Sequence, residues 1–139
     1  MNESDIEKVV PLYIHYYNQY EEGAWTPETT RRRIHQVWSR EDSFCMILEN
    51  GSEPVGFAMG YFEQYDDIQA YDLIEIVLAH QYQNQGIGTK FMQEIERQVK
   101  EKGASIIQME SVNDEKHEKF YGKLGYRTAV NLVLKTKML

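Results

Sequence analysis

A chain of 139 residues with 42% apolar side chains and 27% charge has the length of one domain, 1–139, and enough core to fold alone, which excludes disorder and a second core. No apolar run reaches about 18 residues and the start, Met1 to Asp5, is acidic rather than basic, so neither a membrane span nor a secretory signal is expected, and a cytoplasmic location is. The net charge of −7 divides unevenly: residues 1–82 hold five Lys/Arg against fifteen Asp/Glu, whereas residues 83–139 hold ten against seven. An anionic ligand suits the second part and a cationic one the first, and neither carries the basic stripe that nucleic acid requires.

The elements follow in chain order. Ser4-Asp5-Ile6-Glu7 reads as a capping box before apolar positions Ile6, Val9, Val10, Tyr13, Ile14 and Tyr17 at helical spacing, with Pro11 bending or delaying the helix. Thr26-Pro27 starts a second helix with the stripe Ile34, Val37, Trp38. Phe44–Glu49 and Val55–Phe62 flank Asn50-Gly51 as an antiparallel hairpin, and Tyr71–Leu78 follows a polar loop, 63–70, as a third strand. Residues 86–102 form a helix with Ile87, Phe91, Met92, Ile95 and Val99 on one face and Gly103 as its left-handed cap. Ser105–Val112 is a strand, Lys116–Leu124 a short helix ended by Gly125, and 126–138 one long or two short strands. Helices, then antiparallel strands, then a strand–helix–strand unit predict an α+β (mixed α/β) fold. Cys45, the single cysteine, reads as a core thiol, and His15, His35, His80 and His117 lack metal-ligand spacing, so no metal is expected.

The segment Gln83-Asn84-Gln85-Gly86-Ile87-Gly88 joins a predicted strand to a predicted helix with no bulky group at either glycine. Backbone N–H groups there can face outward, and orphan amides at a helix start favour a phosphate. The order Gly88-Thr89-Lys90 is not that of a P-loop, nor is the dinucleotide fingerprint present. The residues alone leave two readings open, a pyrophosphate-binding turn and a plain glycine turn.

Gln-x-x-Gly-x-Gly after a strand, followed some thirty residues later by Phe120-Tyr121-Gly122-Lys123-Leu124-Gly125-Tyr126, resembles the GNAT superfamily of acyl-CoA-dependent N-acetyltransferases, with the likeness running from about Ile6 to the C-terminus. The resemblance implies a mostly antiparallel central sheet with about four flanking helices. It also implies that the amides of Gln83, Asn84, Gln85, Gly86, Ile87, Gly88 and Thr89 hold the pyrophosphate of acetyl-CoA. The pantetheine would lie along Ile76, Val77 and Leu78, in a splay between that strand and Ser105–Val112. Two departures stand out. The first strand of the family is missing, which leaves Phe44–Glu49 as an open edge that a second subunit, in a homodimer, or a terminal segment would cover. The Asn that the family tends to place seven residues before its tyrosine is Asp114 here, with Asn113 one step earlier, so Asn113 is the candidate for that cofactor contact.

Acyl transfer to an amine requires a neutral amine, a stabilised oxyanion and a proton for the thiolate. An amine with a pKa near 10.4 is neutral about once in 2,500 molecules at pH 7, a handicap of about 4.6 kcal/mol, so a base or water relay helps. Glu75 is the only acid between Leu73 and Gly86 and is the candidate base, against an outward-facing strand glutamate. Tyr121 suits the acid, since phenol and thiol pKa values are close, and the resemblance puts it near the sulfur; the alternative is helix packing. A main-chain amide near Val77 or Leu78 would meet the oxyanion. The acceptor pocket implied by the resemblance draws on Tyr17, Tyr20, Glu21, Glu22, Trp25 and Asp72, with Glu63, Asp66 and Asp67. Acids and aromatics together suit a polyamine, aminosugar or lysine-type ammonium, or are solvated loops. Arg31-Arg32-Arg33 reads as a solvated face. An acetyl-CoA:amine N-acetyltransferase is therefore expected, with a silent acyl-CoA-binding sensor and an unrelated phosphate-binding domain as the alternatives.

Overall fold

A computed structural model describes all 139 residues. Helices α1 (Ile6–Tyr20) and α2 (Pro27–Trp38) precede a hairpin of β1 (Ser43–Asn50) and β2 (Glu53–Gln64). Then come β3 (Gln69–Leu78), α3 (Ile87–Glu101), β4 (Ile106–Met109) and α4 (Glu115–Lys123). The sheet order is β1-β2-β3-β4, antiparallel except for the parallel pair β3–β4. No strand precedes β1, so one of its edges is free, and neither terminal segment of the chain pairs with it.

Local chemistry sets most element ends. Thr26 caps α2 through a reciprocal box with Thr29, and Pro27 needs no amide partner in the first turn. At α1 the box sits two residues earlier than expected. Asn2 accepts from the Asp5 amide at 3.2 Å and Asp5 accepts from the Asn2 amide at 2.8 Å, which winds Glu3–Asp5 into a 3-10 turn ahead of the helix. Pro11 lies inside α1 without ending it.

The sheet separates two apolar layers. On one face Ile6, Val9, Val10 and Tyr13 of α1 and Ile34 and Val37 of α2 pack on Cys45, Phe57, Met59 and Val77. On the other, Phe91, Met92, Ile95 and Val99 of α3 pack on Ala58, Tyr71 and Leu73. Residues of β2 alternate between the layers as period 2 demands. Strand β3 does not keep that alternation, because Met59 pairs with Glu75 while Gly60 pairs with Leu73, leaving Ile74 as an extra residue. This bulge reverses the facing of everything after it. Gly60 makes it possible, since a Cβ there would stand 2.2 Å from the Asp72 carbonyl oxygen.

Two sequence expectations fail at the C-terminal end. Strand β4 spans four residues rather than the eight of Ser105–Val112, because its ladder with β3 stops at Leu73–Met109, where the bulge turns β3 away. The strand expected over 126–138 does not form: residues 128–139 are exposed and pair with no strand. A strand needs a partner ladder, and this segment finds none within its own chain.

Candidate active site

Beyond Leu73, β3 is paired with β2 on one side and with no strand on the other, so Ile74–Leu78 forms a free strand edge. The glycine turn stands at one end of it. Asn84 and Gly86 have φ of 60° and 79°, and α3 starts at Ile87 with no side chain capping it. The amides of Gln85, Gly86, Ile87, Gly88 and Thr89 donate to no protein acceptor. A Cβ on Gly86 would point into open space, so this glycine answers to backbone conformation and to whatever approaches from outside, not to packing. Gly88 is different: a Cβ there would lie 3.5 Å from the Phe120 ring and 3.7 Å from Leu78, so this turn, the end of β3 and α4 meet at one point. Gln83 secures the turn by donating to the Leu78 carbonyl at 3.0 Å, and Gln85 does so through the Gln81 carbonyl at 2.7 Å.

The bulge places Glu75 on the α1–α2 side of the sheet, opposite Tyr71 and Leu73, with its side chain 14% exposed. Tyr17 Oη stands 3.5 Å and Arg33 Nη2 3.6 Å from Glu75 Oε1, while Oε2 and the nearby Tyr13 hydroxyl are buried without hydrogen-bond partners. Burial raises the Glu75 pKa, against the opposing pull of Tyr13, Arg33 and Tyr17. Burial and then the Glu75 charge hold both phenols well above their ordinary value. Thr30 Oγ1 and Asp72 Oδ2 are the other buried polar atoms without partners, so two of the four gather at this carboxylate, where water or a polar ligand can satisfy them. Arg33, read from sequence as part of a solvated face, is thus half of this site, while Arg31 pairs with Glu7 on the outside. No sequence signal identified Arg33 or Tyr13, because their roles depend on how α1 and α2 cross the sheet.

Tyr121 sits on α4 against Phe120 and Tyr126, with ring centroids at 5.0 and 5.8 Å, and burial raises its pKa. Tyr16 of α1 borders the Glu75 pocket: its ring lies 5.0 Å from Tyr17, its hydroxyl donates to Glu21 at 3.3 Å, and burial, then Glu21, push its pKa up to about 12. Asp114 caps α4, accepting from the His117 amide at 2.8 Å and pairing with the His117 ring at 2.7 Å; Asn113 beside it is exposed.

The remaining candidates divide. The Trp25 ring stands edge-on to Tyr13 at 5.1 Å, and Asn18 clamps its backbone through two 2.8 Å hydrogen bonds, so the linker 21–26 is a fixed wall of the Glu75 pocket. Glu21 and Glu22 are both exposed; Glu21 accepts from the Tyr16 hydroxyl at that wall, and Glu22 sits at φ 55°. Tyr20 stacks on His80 at 4.2 Å and so bridges α1 to the segment before the glycine turn. Asp72 accepts from Gln108 at 2.6 Å and raises the pKa of Glu63 by hydrogen bonding. It lies three residues before Glu75, about 10 Å along the strand. Asp66 and Asp67 occupy the β2–β3 turn, roughly 25 Å from Glu75 at strand spacing, and are not part of the pocket. Val77 is in the core, leaving only its backbone free to meet a ligand, while Ile76 and Leu78 face the α3–α4 side. No group of three or more His, Cys, Asp and Glu is placed to hold a metal ion, and Cys45 is buried, with its thiol pKa raised by that burial.

The fold matches many solved structures. The aminoglycoside N-acetyltransferase AAC(6')-Iy in complex with CoA shares 13% identity at TM-score 0.76, with 100% of this chain and 92% of that one covered. The integron cassette protein HFX_CASS3 from the mobile metagenome of Cole Harbour Salt Marsh shares 13% at TM-score 0.81, with 100% and 88% covered. The ribosomal-protein-alanine N-acetyltransferase of Brucella melitensis biovar Abortus 2308 shares 14% at TM-score 0.74, with 100% and 96% covered. No curated protein matches in sequence. The Acetyltransferase (GNAT) family profile matches residues 10–126, most of the chain, and with the unpaired β3 edge, the free amides of its glycine turn and the α4 tyrosine in place, the chain belongs to the GNAT acetyltransferase family.

Proposed function

We propose that the protein is an N-acetyltransferase that moves an acetyl group from acetyl-CoA to a primary amine of a cationic acceptor in a ternary complex. The observation that carries this reading is the unpaired β3 edge at Ile74–Leu78, with a turn of five unpaired amides at its end and a buried carboxylate, Glu75, on the α1–α2 face of the same strand. Acetyl-CoA supplies an activated thioester. The amides of residues 85–89 and the α3 dipole suit its pyrophosphate, and the unpaired edge of β3 at Ile76, Val77 and Leu78 suits an extended amide-containing arm.

Glu75 Oε2, the orphaned oxygen, accepts a proton from the attacking amine directly or through one water. Its raised pKa brings it toward the operating pH, where a base is most effective. Arg33 and Tyr17 orient the other oxygen. Backbone N–H groups on the free edge near Val77 and Leu78 stabilise the charge that grows on the carbonyl oxygen. Tyr121 is protonated at neutral pH, as any phenol near its ordinary pKa is, burial reinforces this, and it delivers that proton to the leaving sulfur. The same apolar surroundings raise the basicity of the thiolate, so the two groups stay matched. Aromatic walls from Tyr17 and Trp25, with Glu21 at the rim, favour an ammonium-bearing acceptor.

Thiol release from acetyl-CoA across a panel of polyamines, aminosugars and lysine peptides tests the proposal. Glu75→Gln is expected to lose most rate at neutral pH and to recover part of it where the amine deprotonates itself; a loss independent of pH refutes the base assignment. Saturable acetyl-CoA binding with no acetylated amine would favour a silent acyl-CoA sensor.

A further inference from the structure

A second buried carboxylate shares the sheet face of Glu75. Asp72 is 9% exposed; its Oδ1 accepts from the Gln108 side chain at 2.6 Å, while Oδ2 is buried and has no partner. Gln108 is itself held, because the same amide nitrogen donates to the Tyr65 hydroxyl at 3.0 Å. Glu63, partly exposed, stands on this face of β2, and its carboxyl comes within hydrogen-bonding reach of Asp72, which raises its pKa against the opposing pull of Tyr65 and Arg40. Two acids so close repel, and an interior oxygen left unpaired is costly until a donor or a cation reaches it. No basic side chain does. Neither acid enters an ion pair, and Arg40 is turned over the Tyr61 ring at 4.3 Å.

We propose that Asp72 and Glu63 form a second ammonium subsite, so that the acceptor is a linear diamine or polyamine with one nitrogen at Glu75 and another at Asp72. This rests on the acetyl transfer proposed above and names its substrate class. The spacing follows from the sheet. Glu75 pairs with Met59 and Asp72 with Tyr61, so the two acids are two residues apart counted on β2 and three counted on β3, the difference being the bulge residue Ile74. At the rise of a strand their separation is about 7–10 Å. An extended chain advances about 1.2 Å per bond, so nitrogens about six to eight bonds apart, joined by about five to seven carbons, reach both acids. The two ends do different work. Arg33, 3.6 Å from Glu75, disfavours a second cation there and suits the nitrogen that must lose its proton to attack. Asp72 has no paired cation, so the nitrogen beside it keeps its charge and anchors the chain. A lysine side chain carries one nitrogen and satisfies only one of the two acids.

Calorimetric titration of the full chain, with CoA present, by a length series of α,ω-diamines and the matching monoamines tests the subsite apart from turnover. 1,6-Diaminohexane is expected to bind at least about 10-fold tighter than hexylamine. Affinity should peak at about five to seven carbons and fall for shorter and longer diamines. Asp72→Asn keeps an acceptor for Gln108, so it should fold, as circular dichroism can verify, and it should bring the diamine-to-monoamine ratio close to one. Glu63→Gln, at a partly exposed position, should lower the same ratio. A diamine bound no tighter than its monoamine overturns the proposal, as does affinity that rises steadily with length. So does an advantage that Asp72→Asn leaves intact, or Glu63→Gln should the first variant not fold. Length-selective diamine binding without thiol release refutes the acetyltransferase reading and leaves the subsite standing, whereas equal acetylation of monoamines and diamines does the reverse.

Discussion

Replacing Arg33 by glutamine removes the one cation that faces Glu75 and should raise the pKa of that carboxyl. The pair stands 3.6 Å apart, with the arginine side chain 37% exposed and the carboxylate 14%. Coulomb's law at that distance gives about 4.6 kcal/mol for an effective dielectric near 20 and about 1.2 kcal/mol in bulk water. The exposure of Arg33 puts the pair toward the screened end, at about 1–2 kcal/mol, or about one pH unit. Burial already holds Glu75 above its ordinary value, and losing a neighbouring cation adds to that shift. Catalysis requires the ionised form, so activity falls as pH drops through the Glu75 pKa, and in Arg33→Gln the fall should begin about one unit higher. A ¹³C-carboxyl titration, with the Glu75 signal assigned by its loss in Glu75→Gln, measures the shift without an acceptor. The acid limb of kcat/KM should move with it, and Arg33→Lys should move it less. A carboxyl that titrates where it did before, or at lower pH, would refute the electrostatic reading of the pair.

Tyr121→Phe keeps the ring that packs on Phe120 and Tyr126 and deletes only the proton; kcat should fall by about 10²-fold or more with acetyl-CoA affinity unchanged, as stopped-time thiol assays and calorimetry can show. Acetyl-CoA at a hundredfold excess over its dissociation constant should stabilise the parent protein by about 2.7 kcal/mol. Gly86→Val, whose side chain would project into the space in front of the free amides from a φ of 79°, should abolish that gain in thermal denaturation, and an unchanged gain removes the turn from the site. A polyvalent amine should outcompete neutral and acidic acceptors, with a Michaelis constant that rises with ionic strength; preference for an acidic acceptor would end the cationic reading.

The local geometry of the candidate site was legible one residue at a time. The conformation of the glycine turn was legible because positive φ and uncapped amides are properties of a few consecutive residues, while Glu75 was a candidate from chemical type and place and Tyr121 from chemical type and the family resemblance. The partners of Glu75 were not legible. Tyr13 looked like one more apolar position of the α1 stripe, and Arg33 like one of three solvated cations, until the helices crossed the sheet and brought both to the same carboxylate.

The sequence by itself determined what short-range hydrogen bonding and periodicity control: the Thr26 cap, the Asn50-Gly51 hairpin, the buried stripes of α1, α2 and α3, and the left-handed ends at Gly103 and Gly125. Each depends on neighbours within about four residues. The tertiary structure alone decided which way Glu75 points, because parity along β3 is reset by the extra residue Ile74, and that residue is identified only by pairing with Met59 and Gly60 some fifteen positions away. It also decided that β4 stops at Met109 and that residues 128–139 remain unpaired despite their strand-like composition. A strand exists only where an edge receives it, and the position of that edge is a property of the whole sheet.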